Sequence, residues 1–124
     1  MNYQLTLNEK QARILSCALD TYARIAGGQF SVILHQFSIE PTDRKHVDKL
    51  LAELKLLLTG KGVSEDRGLH EISEDGQVAY DLHQVVRYSL RQPKNICNMS
   101  DIRVSDYPPL QYSHEPLAII TEIK

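Results

Sequence analysis

The hydrophobic pattern changes period several times along the chain. Residues 2–7 alternate, with Tyr3, Leu5 and Leu7 on one side, and period two predicts a short half-buried strand. From residue 8 the spacing switches to threes and fours. Leu15, Ala18, Leu19, Tyr22 and Ile25 mark the apolar stripe of a helix over about residues 8–27. Asn8, with Gln11 three residues on, fits a capping box, and Gly27-Gly28 suits a last turn that needs positive φ. A second helix, about 42–59, carries Val47, Leu50, Leu51, Leu54, Leu57 and Leu58, and reads as a core or interface helix. Capping candidates in Glu40–Asp43 open it, and Gly60-Lys61-Gly62 closes it. A third, about 73–92, starts at Ser73, stops at Pro93 and places Val78, Leu82, Val85, Val86 and Leu90 on its buried stripe.

Two stretches resist this treatment. Gln29–Phe37 mixes β-branched and aromatic residues with helical spacing, and periodicity does not assign it. Residues 96–124 hold three of the five prolines and the β-prone runs Ile102–Val104 and Leu117–Ile123. The expected fold is therefore a single α+β domain over residues 1–124. Three amphipathic helices are joined by a short N-terminal strand and a C-terminal extended or β tail. Such a tail packs on its own sheet or crosses to a neighbouring subunit, and a homo-oligomer is expected.

Size and charge narrow the function classes. A chain of 124 residues fits one domain and has little core to spare for a deep pocket, so a nucleotide-sized ligand would sit in a groove or between subunits. Fourteen basic against sixteen acidic residues give a net charge of −2, which weakens a nucleic-acid reading. The N-terminus has no basic region followed by an apolar stretch, so no signal peptide is expected, and no apolar run approaches the ~20 residues of a membrane span. The two cysteines, Cys17 and Cys97, are expected to be free thiols in a reducing cytoplasm.

No catalytic motif stands out. The five histidines are scattered one per segment, without the clustered spacing of a zinc site, so no metal is expected. Gly60-Lys61-Gly62-Val63-Ser64 follows a leucine-rich helix and lacks the Gly-Lys-Ser/Thr order of a phosphate loop. There is no Gly-x-Ser-x-Gly elbow. The expectation is a protein without enzymatic activity and without a cofactor.

Two groups of residues do carry binding chemistry. In the third helix Tyr80, His83, Gln84, Arg87 and Arg91 share one face, offering a ring, an imidazole and guanidinium forks suited to a base and to phosphate oxygens. An ordinary solvated face with salt bridges accounts for it equally well. In the first helix Arg24, which Asp20 can pair at i, i+4, precedes Gly27, Gly28, Gln29 and Phe30. Glycine amides can approach a ligand closely there, although a simple helix C-cap also explains the double glycine. In the tail, Arg103, Tyr107 and Tyr112 repeat the pairing of rings with a guanidinium.

Residues 5–30 (LTLNEKQARILSCALDTYARIAGGQF) together with residues 78–92 (VAYDLHQVVRYSLRQ) resemble a group of short phage and prophage proteins. In that group a first helix ends in an Arg–Gly–Gly/Gln–Phe element, and a later helix carries Tyr-Asp-x-His-Gln-Val-x-Arg. Among small phage proteins the chain looks most like the first-described Thoeris anti-defence sponges. The resemblance implies an oligomer that binds and sequesters a cyclic ADP-ribose isomer made by bacterial TIR-domain defence enzymes, without cleaving it, in the cytoplasm of the infected host. Some members also hold cyclic oligonucleotides. The competing readings are a phage-encoded module or inhibitor that docks a host protein, a small nucleic-acid-binding regulator, and a cyclic-nucleotide phosphoesterase, which the missing metal cluster disfavours.

Overall fold

The computed structural model describes residues 1–37, 39–62, 65, 68–90 and 108–123. Four helices form among them: α1 Glu9–Ala26, α2 Val32–Gln36, α3 Arg44–Thr59 and α4 Glu74–Leu90. The local stop and start signals behave as expected. Asn8 accepts from Gln11 N at 2.8 Å while the Gln11 side chain accepts from Asn8 N at 3.0 Å, closing the capping box of α1. Asp43 accepts from His46 N at the head of α3, and Ser73 Oγ from Gly76 N at the head of α4. The positive φ that ends the first helical segment falls on Gly28 (+84°), one residue beyond Gly27.

The fold is all-helical among the described residues, which overturns the α+β expectation. Residues 2–7 form no strand, and Tyr3 and Leu5 are 89% and 72% exposed. Residues 117–123 likewise form no strand. A strand exists only through its ladder partner, and no described segment of this chain offers these residues an edge. Ile102–Val104 lies outside the described residues. The ambiguous stretch 29–37 yields the short α2, entered through i→i+3 bonds from Val32, Ile33 and Leu34 to the carbonyls of Gln29, Phe30 and Ser31. Phe30 and Val32 are buried there. Cys17 is disulfide-bonded rather than free, and Cys97 lies outside the described residues.

The organising contact is an antiparallel α1–α4 pair, since Gly76 at the start of α4 abuts Ala26 at the end of α1 and His83 meets Ser16. A Cβ on Gly76 would lie 2.9 Å from Ala26 Cβ, so only glycine lets the two helices approach this closely. The apolar core is small: Ala23, Phe30, Val32, Ile72, Ala79, Val85 and Val86. What α1 buries is mainly its polar side, Ser16, Asp20 and Ala23. Its expected apolar stripe is half-buried at Leu15 and Leu19 and exposed at Ala18, Tyr22 and Ile25. In α3 the inversion goes further, although Val47 and Leu51 stay half-buried. Lys55 is its buried residue, while Leu50, Leu54, Leu57 and Leu58 are 42–82% exposed. No described helix is long and apolar enough to cross a membrane.

Candidate functional site

The buried face of α1 repeats Ser16, Asp20, Ala23 and Gly27 at helical spacing and carries a carboxylate into the α1–α4 interface. Charge at such depth needs partners. Asp20 finds them on three elements. Arg24 Nε, one turn on, donates to both oxygens at 3.1 and 3.0 Å, and Gln36 Nε2 at the end of α2 donates at 2.9 Å. From α4, His83 Nε2 stands 3.7 Å from Oδ1. Arg24 also donates through Nη1 to Gln29 Oε1 at 2.8 Å, tying the α1–α2 turn to the same group.

His83 is almost fully enclosed, and its Nδ1 lies 2.9 Å from both the hydroxyl and the carbonyl oxygen of Ser16. A carbonyl can only accept, so Nδ1 carries the ring's proton in the neutral form. Burial pushes the His83 pKa below 6.5. Asp20 and the Ser16 carbonyl pull it up, and the Arg87 and Arg24 guanidiniums push it further down. The Ser16–His83–Asp20 grouping contains the residue types of a hydrolytic triad without its function. Ser16 has no exposed surface, and the Nδ1 beside it holds a proton instead of accepting one.

On its other side α4 grips the returning chain. Asp81 accepts from Tyr112 N, Ser113 N and Ser113 Oγ at 2.6–3.0 Å. Gln84 pairs with both the N–H and the carbonyl of Leu110, and Glu74 accepts from His114 N. Residues 110–114 therefore lie as a strap along α4, antiparallel to it. Tyr112 packs edge-on to Tyr80 at 5.5 Å between centroids and against His70 at 5.8 Å, and Tyr80 reaches His83 at 6.2 Å.

The expected binding residues thus take other positions than a free face. His83, Gln84 and Arg87 are buried, because α4 is covered on one side by α1 and on the other by the strap. Gly27, Gly28 and Phe30 are buried in the α1–α2 turn. Arg24, Gln29 and Tyr80 keep partial exposure, Arg24 with 26% of its side chain open. Arg91, Arg103 and Tyr107 lie outside the described residues. What the structure does bring together is the two separate groups: the Arg24–Phe30 turn and the Tyr80–His83 stretch share Asp20 as their junction.

Sequence reasoning missed Ser16, Gln36 and the strap-binding roles of Asp81 and Gln84. The i, i+4, i+7, i+11 repeat of small and polar residues from Ser16 to Gly27 was the available signal for the first. Nothing local marks Gln36 or the strap contacts, which join residues distant in sequence. Among the described residues no group of three or more His, Cys, Asp or Glu side chains is placed to hold a metal ion. Compared with protein-family models, with curated proteins and with solved structures, the chain matches none.

Proposed function

We propose that this protein binds and sequesters a phosphorylated cyclic nucleotide of the cyclic ADP-ribose class without cleaving it, as an immune-evasion sponge acting in the cytoplasm of an infected bacterial host. The observation that carries the reading is the junction at Asp20. It links the partly open Arg24 guanidinium to the ring series His83, Tyr80, Tyr112 and His70 in one run of contacts. A guanidinium suits pyrophosphate oxygens and tyrosine rings suit a purine. Asp20 and Gln29 hold Arg24 in place beforehand, which lowers the ordering cost of binding. The local resemblance to phage sponges supplies the ligand class, and a homo-oligomer belongs to the same reading. The sealed Ser16–His83–Asp20 grouping favours holding a ligand over hydrolysing it.

A thermal-shift panel of cyclic nucleotides and ADP-ribose isomers tests this, followed by chromatography of the ligand released on heating. A shift with one class, intact recovery and loss of binding in Arg24→Ala are expected. Hydrolysed product overturns the sponge reading in favour of an enzyme. A second reading, a module that docks a host protein, draws on the exposed leucines of α3. It predicts no shift with any nucleotide and a specific partner captured from host lysate.

A further inference from the structure

The side of α4 that faces the strap is polar although it is covered. Glu74, Gln77, Asp81 and Gln84 recur at steps of three and four residues, which return to one side of a helix. Gln77, Asp81 and Gln84 are 9%, 4% and 8% exposed. Polar side chains at that depth need hydrogen-bonding partners, and here the partners are peptide groups. Gln84 accepts from Leu110 N at 3.1 Å and donates to the Leu110 carbonyl at 2.9 Å. Asp81 spreads its two oxygens over the consecutive N–H groups of Tyr112 and Ser113. Glu74 accepts from His114 N at 2.8 Å, and Gln77 Nε2 donates to the Leu69 carbonyl at 2.8 Å.

The strap's own side chains add selection at two positions. The Tyr112 ring stands edge-on to Tyr80 and against His70, and Ser113 Oγ donates to Asp81 at 2.6 Å. Leu110 is 62% exposed, so α4 reads that position through its peptide group. The His114 ring reaches Glu74 at 3.4 Å, but the side chain is 97% exposed and an ion pair there is worth little. Nor does the strap belong to the apolar core, since every described core residue lies between Ala23 and Val86. Lifting it uncovers polar side chains and removes no core residue. Main-chain hydrogen bonds for affinity, with pockets for particular side chains, are how extended peptides are recognised. We propose that the Glu74–Asp81–Gln84 side of α4 is a peptide-binding site that residues 110–114 occupy in cis. Its second occupant is an extended segment of a partner protein, with an aromatic residue followed by Ser or Thr, that displaces the strap. A tethered segment competes at an effective concentration on the order of millimolar, which makes the strap the resting occupant.

The probe is a fluorescein-labelled synthetic peptide of residues 108–116 (PPLQYSHEP), titrated with the full chain and read by anisotropy. No nucleotide is present, so the proposal and the sequestration reading can each fail alone. The wild-type chain is expected to bind the peptide weakly, against its own strap. Combining Tyr112→Ala with Ser113→Ala in the full chain weakens that strap and tightens peptide binding by about tenfold or more. Adding Asp81→Asn abolishes the gain, because a donor then faces the peptide's N–H groups. A peptide with alanine in place of its Tyr and Ser does not bind. Amide hydrogen exchange gives a second measurement on the unsubstituted chain. Millimolar unlabelled peptide should speed exchange of the protein's own Tyr112, Ser113 and His114 amides as the strap leaves α4. A strap variant that stays helical by circular dichroism and binds no better than wild type overturns the proposal. So does a gain that survives Asp81→Asn, or exchange unchanged at millimolar peptide.

Discussion

Asp81 of α4 accepts three hydrogen bonds from two consecutive residues of the returning chain, and the shortest is 2.6 Å from Ser113 Oγ. This carboxylate is 4% exposed and anchors the strap from one helix face. Asp81→Asn keeps the shape but replaces one acceptor oxygen with a donor, facing groups that themselves donate. A loss of about 1–3 kcal/mol in denaturant unfolding is expected. Limited proteolysis around residues 110–114 should accelerate in parallel. Unchanged cleavage would mean the strap is held by something other than Asp81.

His83 makes stability depend on pH. Burial, the foremost cause, lowers its pKa in the folded state below the 6.5 of the free side chain. The unfolded chain therefore binds more protons in the window just below 6.5, and stability falls as pH drops through it. Below the folded-state pKa both states are protonated and this contribution stops changing. Melting temperature should decline from pH 7.5 towards 5.5 in the wild type, and the decline should flatten in His83→Gln. Identical pH slopes for the two proteins would remove His83 from the account.

Gly76→Ala sets two effects against each other. Alanine gains up to about 1 kcal/mol of helix propensity over glycine. The new methyl would stand 2.9 Å from Ala26 Cβ and 3.0 Å from Ile72 Cδ1, and overpacking of that kind costs about 1–3 kcal/mol. Sterics are expected to win, giving net destabilisation in chemical denaturation. Adding Ala26→Gly relieves the closer clash, so the double variant should be more stable than its helix propensities suggest.

The apolar residues of α3 and of the core should respond oppositely. Leu57 is 82% exposed, so Leu57→Lys is expected to change unfolding free energy by no more than about 0.5 kcal/mol. Val32 is 1% exposed beneath the α1–α2 turn, and Val32→Ala should cost about 1–3 kcal/mol. A large loss from Leu57→Lys would show that the leucine face of α3 is covered in solution.

Helix positions were legible from sequence because their signals are local. The Asn8–Gln11 box, the Asp43 and Ser73 caps and the glycine after α3 all act within one turn. Arg24 and its partner Asp20 were legible for the same reason, being one turn apart on one helix. Which face each helix buries was not legible. Periodicity shows that a helix has two faces, but the energy of closing them depends on the opposite element. In α1–α4, hydrogen bonding among Ser16, Asp20, Arg24 and His83, together with the close approach at Gly76, places the polar face inside. The alternating segment 2–7 and the β-prone run 117–123 form no strand on the same principle, because side-chain pattern and propensity specify a surface and only another strand supplies the ladder. The sequence alone marked where α1, α3 and α4 begin, but not the short α2. The tertiary structure alone decided what they cover, because burial is a property of pairs of elements and the hydrogen bonds that satisfy them.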